Sequence, residues 1–310
     1  MQKSLTNKKA FSLVELSIVI LIIGIIIAGI TQSSRLIAQF RLSSAKTQTK
    51  GSPVPSISNL VMWLEPTLDE SLLDSEREDT DLVANNGIST WYDLNPNSNK
   101  NNATQTSTTL RPKYYAKCIN NLPCIRFDGS NDVMSFSGTD LVGTNFTIFV
   151  VDQRRAATGI FVGKNSSTSS LAGLIIGYTT PSTINFANGD NNQNAYNASI
   201  ASYSTPPVAR VHSFVNYFKN SDSFNYLTHF INGSAASSGT EVKASTASGS
   251  TNGLLTSYSD ASIGSGFNGG TSVPYNGDIG EIIIYSKALK LEERVAVEDY
   301  LTKKWGITPQ

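Results

Sequence analysis

At 310 residues, with 39% apolar residues, 23 glycines and 11 prolines, the chain can form one large or two ordinary globular domains and is too apolar for a disordered one. Its 24 Lys and Arg balance 24 Asp and Glu, so there is no overall basic field, and nucleic acid is excluded as a sequence-independent partner. The Ser/Thr/Asn/Gly-rich composition beyond residue 95 suits an exported all-β domain with many turns.

Phe11 to Ile30 contains a single charge, Glu15. At about 1.5 Å per residue, a helix of this length covers the roughly 30 Å hydrocarbon core of a bilayer. Lys3, Lys8 and Lys9 precede it, which by the positive-inside rule leaves the N-terminus in the cytoplasm and sends the chain after Ile30 outward. A cleavable secretory signal has an apolar core of about 7 to 15 residues and a small-residue cleavage site after it. Here the run continues into "TQSSRLIAQFRLSSAK", so the helix is expected to stay with the mature protein.

A carboxylate inside a spanning helix costs about 2.5 to 3.5 kcal/mol at mid-bilayer and calls for a partner or a function. One reading of Glu15 is a side chain reaching the interface of a simple signal anchor. The other comes from its neighbourhood, a basic leader, Ala10 and then "FSLVEL", which resembles the N-terminal processing motif of type IV prepilins and pseudopilins. That resemblance implies cleavage between Ala10 and Phe11 by a prepilin peptidase and N-methylation of Phe11. It further implies that Glu15, the fifth mature residue, offsets the terminal amine of a neighbouring pilin or pseudopilin subunit during assembly. Ala10 stands where the family most often has Gly.

Gly24, Ala28 and Gly29 provide a small-residue patch for close helix approach. Leu36, Ile37 and Phe40 then lie at helical spacing among polar residues, predicting that the helix continues to about Lys46. "KGSPVPS" breaks any helix, because two prolines and a glycine do not fit its interior. The expected organisation is therefore a leader at 1–10, a transmembrane and amphipathic helix at 11–49, a linker at 50–58 and one domain at 59–310.

In that domain "CIRFDG", "FTIFVVDQ", "LAGLIIGY", "VHSFVNYF", "YLTHFINGSAA" and "GEIIIYS" read as strands, with Asn232-Gly233 as a two-residue hairpin turn. Many strands without interleaved helices predict a mainly β fold, an antiparallel two-sheet jelly-roll sandwich. Near the end, Leu291, Val295, Leu301 and Trp305 predict one apolar face of a short helix capped by Gly306, with Arg294 and Glu298 as a structural i,i+4 pair.

Cys118 and Cys124 are the only cysteines, and in an exported domain they read as a disulfide closed by a turn in "INNLP"; two free thiols are the alternative. With only His212 and His229, no standard zinc pattern is present. The acidic run from Glu65 to Asp81 lacks an EF-hand glycine and reads as a solvated loop. "FDGSND" brings Asp128, Asn131 and Asp132 into one turn, which makes them the candidates for a calcium site, against the reading of an ordinary turn. No Glu-x-Asp-x-Glu, Gly-x-Ser-x-Gly or His-Glu-x-x-His pattern occurs, so the chain reads as non-enzymatic. "NFANGDNNQNAYN" is a loop of the kind that holds sugars, or only a surface loop.

Three stretches, "LVMWLEPTLD" with "ISTWYDLNPNSNKNNATQ", "INNLPCIRFDGSNDVMSF" and "YNGDIGEIIIYSKALKLEERVAVEDYLTKKWGI", resemble the laminin G-like, or concanavalin A-like, lectin/glucanase superfamily. The resemblance implies a lectin-like sandwich, with carbohydrate or another surface ligand as its partner. The combined expectation is a pilin-like surface subunit for adhesion or glycan binding, a minor or tip component of a type IV pilus, in the inner membrane with an exported domain and on the cell surface once assembled. The alternatives are a type II secretion pseudopilin and a membrane-anchored glycan hydrolase.

Overall fold

The computed structural model describes residues 12–73, 87–97, 99–141, 145–165, 173–189, 195–199, 202–219, 224–236, 242–243, 260–265 and 273–309. The chain divides into two compact units, Met1–Ser43 and Ser44–Gln310.

The first unit is helical: α1 runs Leu13–Lys50, and its last turns belong to the second unit. An 18-residue window of α1 has a mean hydropathy of 2.9, and the helix is long and apolar enough to cross a membrane. Between Leu13 and Ile30 the large apolar side chains are 49–84% exposed in the isolated chain. A run so rich in Ile can stay helical in a bilayer because a helix satisfies every backbone group within itself. The helix extends past Lys46, since Ala45 and Thr49 are buried in the second unit. Val54 in the following segment is fully buried, and its carbonyl accepts a hydrogen bond from Tyr285.

The second unit has seventeen strands among the described residues. They are β1 (Leu60–Leu64), β2 (Thr90–Trp91), β3 (Ala103–Thr104), β4 (Lys113–Ile119), β5 (Leu122–Asp128), β6 (Met134–Ser137), β7 (Phe146–Arg154), β8 (Gly159–Asn165) and β9 (Gly173–Thr180). After them come β10 (Thr183–Gly189), β11 (Ala195–Ser199), β12 (Arg210–Lys219), β13 (Phe224–Ile231), β14 (Ser234–Ala235), β15 (Val242–Lys243), β16 (Asp260–Ile263), β17 (Asn276–Tyr285) and the helix α2 (Leu291–Trp305). One sheet has the order β14-β13-β12-β7-β17-β5-β4, with β1 on β17 and β15 on β13. The other has the order β11-β10-β9-β8-β16-β6-β3-β2, and the paired strands are antiparallel throughout. This is the mainly β, two-sheet sandwich expected from the sequence, and the six quoted runs fall on strands where they are described, Leu171 and Ala172 of "LAGLIIGY" lying outside the described residues. The turn residues Asn232 and Gly233 both have positive φ, as a two-residue hairpin of this kind requires.

The first sheet is covered on both faces, which explains its near-continuous apolar runs. By period-2 alternation, Ile148, Val150, Ile282 and Ile284 enter the core between the sheets. Phe149, Val151, Ile283 and Tyr285 enter a second core shared with Val297, Leu301 and Trp305 of α2. The buried face of α2 is rotated from the expected one: Leu291 and Val295 are exposed, while Arg294, Val297, Tyr300 and Lys304 are buried. Three buried charges lie on this face: Lys304 reaches carboxylates beneath the helix, while Arg294 pairs with Glu298 on α2 itself and Glu298 also accepts from Ser213 Oγ. Gly306, with φ of 62°, ends α2 in a Schellman arrangement, Ile307 N–H donating to Thr302 and Gly306 N–H to Lys303.

Lys304 Nζ, fully buried, donates to Glu65 Oε2 at 2.7 Å and Glu281 Oε2 at 2.8 Å. Glu281 also accepts from Trp63 Nε1, Tyr300 OH and Trp305 Nε1. Burial pushes Glu65 up, and Lys304 with the hydrogen bonds from Thr67 and Leu68 outweighs it, leaving the carboxyl below its ordinary range. The same pairing outweighs burial at Lys304 and holds its ammonium above the ordinary lysine range. A second polar network joins the two sheets. Asp152 on β7 accepts from Tyr275 OH and Tyr178 OH and lies 3.0 Å from His212 Nε2, and His212 Nδ1 is 2.9 Å from His229 Nε2.

Candidate functional site

Two regions carry chemistry, the start of α1 and a cavity beside the hairpin of β4 and β5. Ala10 and Phe11 lie outside the described residues. Glu15 is exposed in the first turn of α1, where its Oε2 accepts the Ser12 N–H at 2.9 Å and the Ser12 hydroxyl accepts the Val14 N–H at 3.3 Å. The Glu15 side chain reaches back to the Ser12 N–H as in a capping box, while the Ser12 hydroxyl caps Val14 rather than Glu15; "SLVE", Ser-x-x-Glu ahead of an apolar run, carries the signal.

The cavity, of about 360 Å³, is lined by Thr108, Thr109, Arg111, Lys113, Tyr115, Arg126, Asp128 and Asp132. Lys113 and Tyr115 share one face of β4, Arg126 and Asp128 the same face of β5, and Lys113 stands opposite Arg126 in register. Their neighbours Ile125 and Phe127 point into the core between the sheets, so the cavity lies on the other face of this sheet. Arg126 also faces Asp278 of β17 in register, and its Nε and Nη2 grip that carboxylate at 2.5 and 3.0 Å. The guanidinium carbon lies 3.9 Å from the centre of the Tyr115 ring. Burial lowers the Arg126 pKa, and Asp278 outweighs it. Arg111 donates to the carbonyls of Gln105 and Thr106.

The three calcium candidates do stand together. Asp128 Oδ1 accepts from Ser130 and Asn131 N–H, and Asp132 Oδ2 accepts from Asp128 N–H, so one oxygen of each carboxylate holds the turn. Burial, and then the charge of Asp128, push Asp132 up to about 7. Arg111, Lys113 and Arg126 line the same cavity, and their charges oppose a divalent cation in it. Cys118 and Cys124 are joined in a disulfide with Cα atoms 6.0 Å apart, across the hairpin whose turn residues Asn120 and Asn121 have positive φ. Of the sugar-loop stretch, residues 185–189 and 195–197 lie in β10 and β11 and the rest lies outside the described residues.

Sequence reasoning missed the basic half of this cavity. Its one visible signal is Arg126, a charge inside the otherwise apolar strand "LPCIRFD".

Residues 5–31 match the family described as the prokaryotic N-terminal methylation motif. A search of curated proteins found no match. Among solved structures, the carbohydrate-binding module of the Ruminococcus gnavus IT-sialidase, bound to α2,3 sialyllactose, is similar at 12% identity over 56% of this chain and 96% of its own, with a TM-score of 0.41. Botulinum neurotoxin type C is similar at 12% identity over 81% of this chain and 53% of its own, with a TM-score of 0.48. The Trypanosoma rangeli sialidase with sialic acid is similar at 12% identity over 83% of this chain and 35% of its own, with a TM-score of 0.47. The methylation motif and the span-length helix that coincides with it give this chain a pilin-like N-terminus ahead of a β-sandwich.

Proposed function

We propose that this chain is a non-enzymatic, pilin-like subunit that displays its sandwich domain outside the cell for adhesion or glycan binding. Residues 1–10 are removed by prepilin peptidase between Ala10 and Phe11, and Phe11 is N-methylated. Residues 11–49 hold the subunit in the inner membrane and then in the filament, where Glu15 meets the terminal amine of a neighbour. Residues 50–58 lead into the displayed domain, 59–310. A head this large beside one filament helix suits a minor or tip position. The observation that carries the reading is the coincidence of the methylation motif at 5–31 with a helix able to cross a membrane.

The test is the intact mass of the protein from membranes of a native host and of a strain lacking prepilin peptidase. Loss of residues 1–10 with one added methyl group, in the first strain only, supports the reading; an uncut N-terminus in both overturns it. Deletion separates the two assemblies that use such an N-terminus: a pilus adhesin loses attachment, whereas a type II secretion pseudopilin loses export.

A further inference from the structure

We propose that the cavity beside the β4–β5 hairpin binds a carboxylated sugar residue of the hexuronate type. Its carboxylate is held by Arg111, Lys113 and Arg126, and its hydroxyls donate to Asp128 and Asp132. The proposal rests on the glycan-binding reading above and names the ligand class for it.

Size comes first, since about 360 Å³ lies within the range of small-ligand sites. Charge comes next: three cations and two carboxylates line the cavity. Arg111 bonds to neutral carbonyls, which leave its charge in place, and Lys113 makes no salt bridge among the described residues. Arg126 is held rigidly by the buried Asp278 on one edge and by the Tyr115 ring on its face, leaving its Nη1 edge unused by Asp278. A guanidinium fixed in this way loses little freedom when it meets a carboxylate.

The acidic residues complete the match. Each of Asp128 and Asp132 uses one oxygen for the turn and keeps a second as an acceptor for hydroxyls. A neutral sugar held by stacking fits less well, because Arg126 occupies a face of the Tyr115 ring.

The test uses the full chain in detergent micelles, with trigalacturonate and its fully methyl-esterified form as calorimetric probes. Trigalacturonate is expected to bind the wild type at least tenfold more tightly than the ester. Lys113→Glu, at an exposed position, is expected to weaken it at least tenfold, and Lys117→Glu, on the same strand outside the cavity, to leave it unchanged. Equal binding of acid and ester, or equal effects of the two lysine variants, overturns this site while leaving glycan binding in place. Failure of every neutral and acidic oligosaccharide in a panel to bind the wild type overturns the glycan-binding reading itself.

Discussion

Glu15 Oε2 accepts the backbone N–H of Ser12 at the start of α1, so the charge in the apolar helix caps its own N-terminus even in a single chain. A gain of about 1 kcal/mol from such a cap is smaller than the insertion penalty of about 2.5 to 3.5 kcal/mol for a carboxylate at mid-bilayer, which leaves room for a partner charge in an assembly. Glu15→Gln keeps an acceptor for the Ser12 N–H and removes the charge. It is expected to be cleaved and methylated normally, by intact mass, and to be missing from sheared filaments. Filaments containing Glu15→Gln at wild-type level would show that the charge is dispensable.

Lys304 pairs with two buried carboxylates at once. Lys304→Met strands Glu65 and Glu281 and is expected to cost about 3–5 kcal/mol in denaturant unfolding. The Lys46–Asp69 pair has the same short distance but is partly exposed, and Lys46→Ala is expected to cost under about 1 kcal/mol.

Burial, and then the charge of His212, hold the His229 pKa well below the usual 6.5. The unfolded chain therefore gains a proton as pH falls below about 6.5, while the folded chain does not, so the stability present above that pH is lost on acidification. For one proton the slope approaches about 1.4 kcal/mol per pH unit. Urea midpoints at pH 5 and pH 8 should differ less in His229→Gln than in the wild type.

The Cys118–Cys124 disulfide closes a short loop, and the chain-entropy relation gives such a loop about 2 kcal/mol. Cys118→Ser with Cys124→Ser is expected to lower stability by about that amount and to keep the fold, as seen in an unchanged circular dichroism spectrum. Complete unfolding of the double variant would make the bond part of the framework rather than a local staple.

Trp91 and Trp305 are both fully buried, yet only Trp305 uses its indole N–H, donating to Glu281 at 2.9 Å. Trp91 Nε1 makes no hydrogen bond among the described residues. Trp305→Phe removes a donor from a buried carboxylate and is expected to cost about 1–3 kcal/mol more than Trp91→Phe by thermal or urea unfolding.

Local chemistry determined much of this protein. The span of Phe11 to Ile30, the capping glycine at 306, the Asn232-Gly233 turn and the strands of "FTIFVVDQ" and "GEIIIYS" depend on neighbours within a few residues, and a linear pattern records them. The Arg294–Glu298 pair was legible for the same reason, being four residues apart on one helix. Tertiary structure alone decided what depends on distant neighbours. Glu65, Glu281 and Lys304 meet across 239 and 23 residues, and Arg126 meets Asp278 across 152. The buried face of α2 leaves out Leu291 and Val295 and joins Val297, Leu301 and Trp305 to Lys304, whose partners Glu65 and Glu281 lie on distant strands and loops. The cavity likewise exists only because register places Lys113 opposite Arg126 and Arg126 opposite Asp278. Strand register is a property of pairing between segments, and no single segment encodes it.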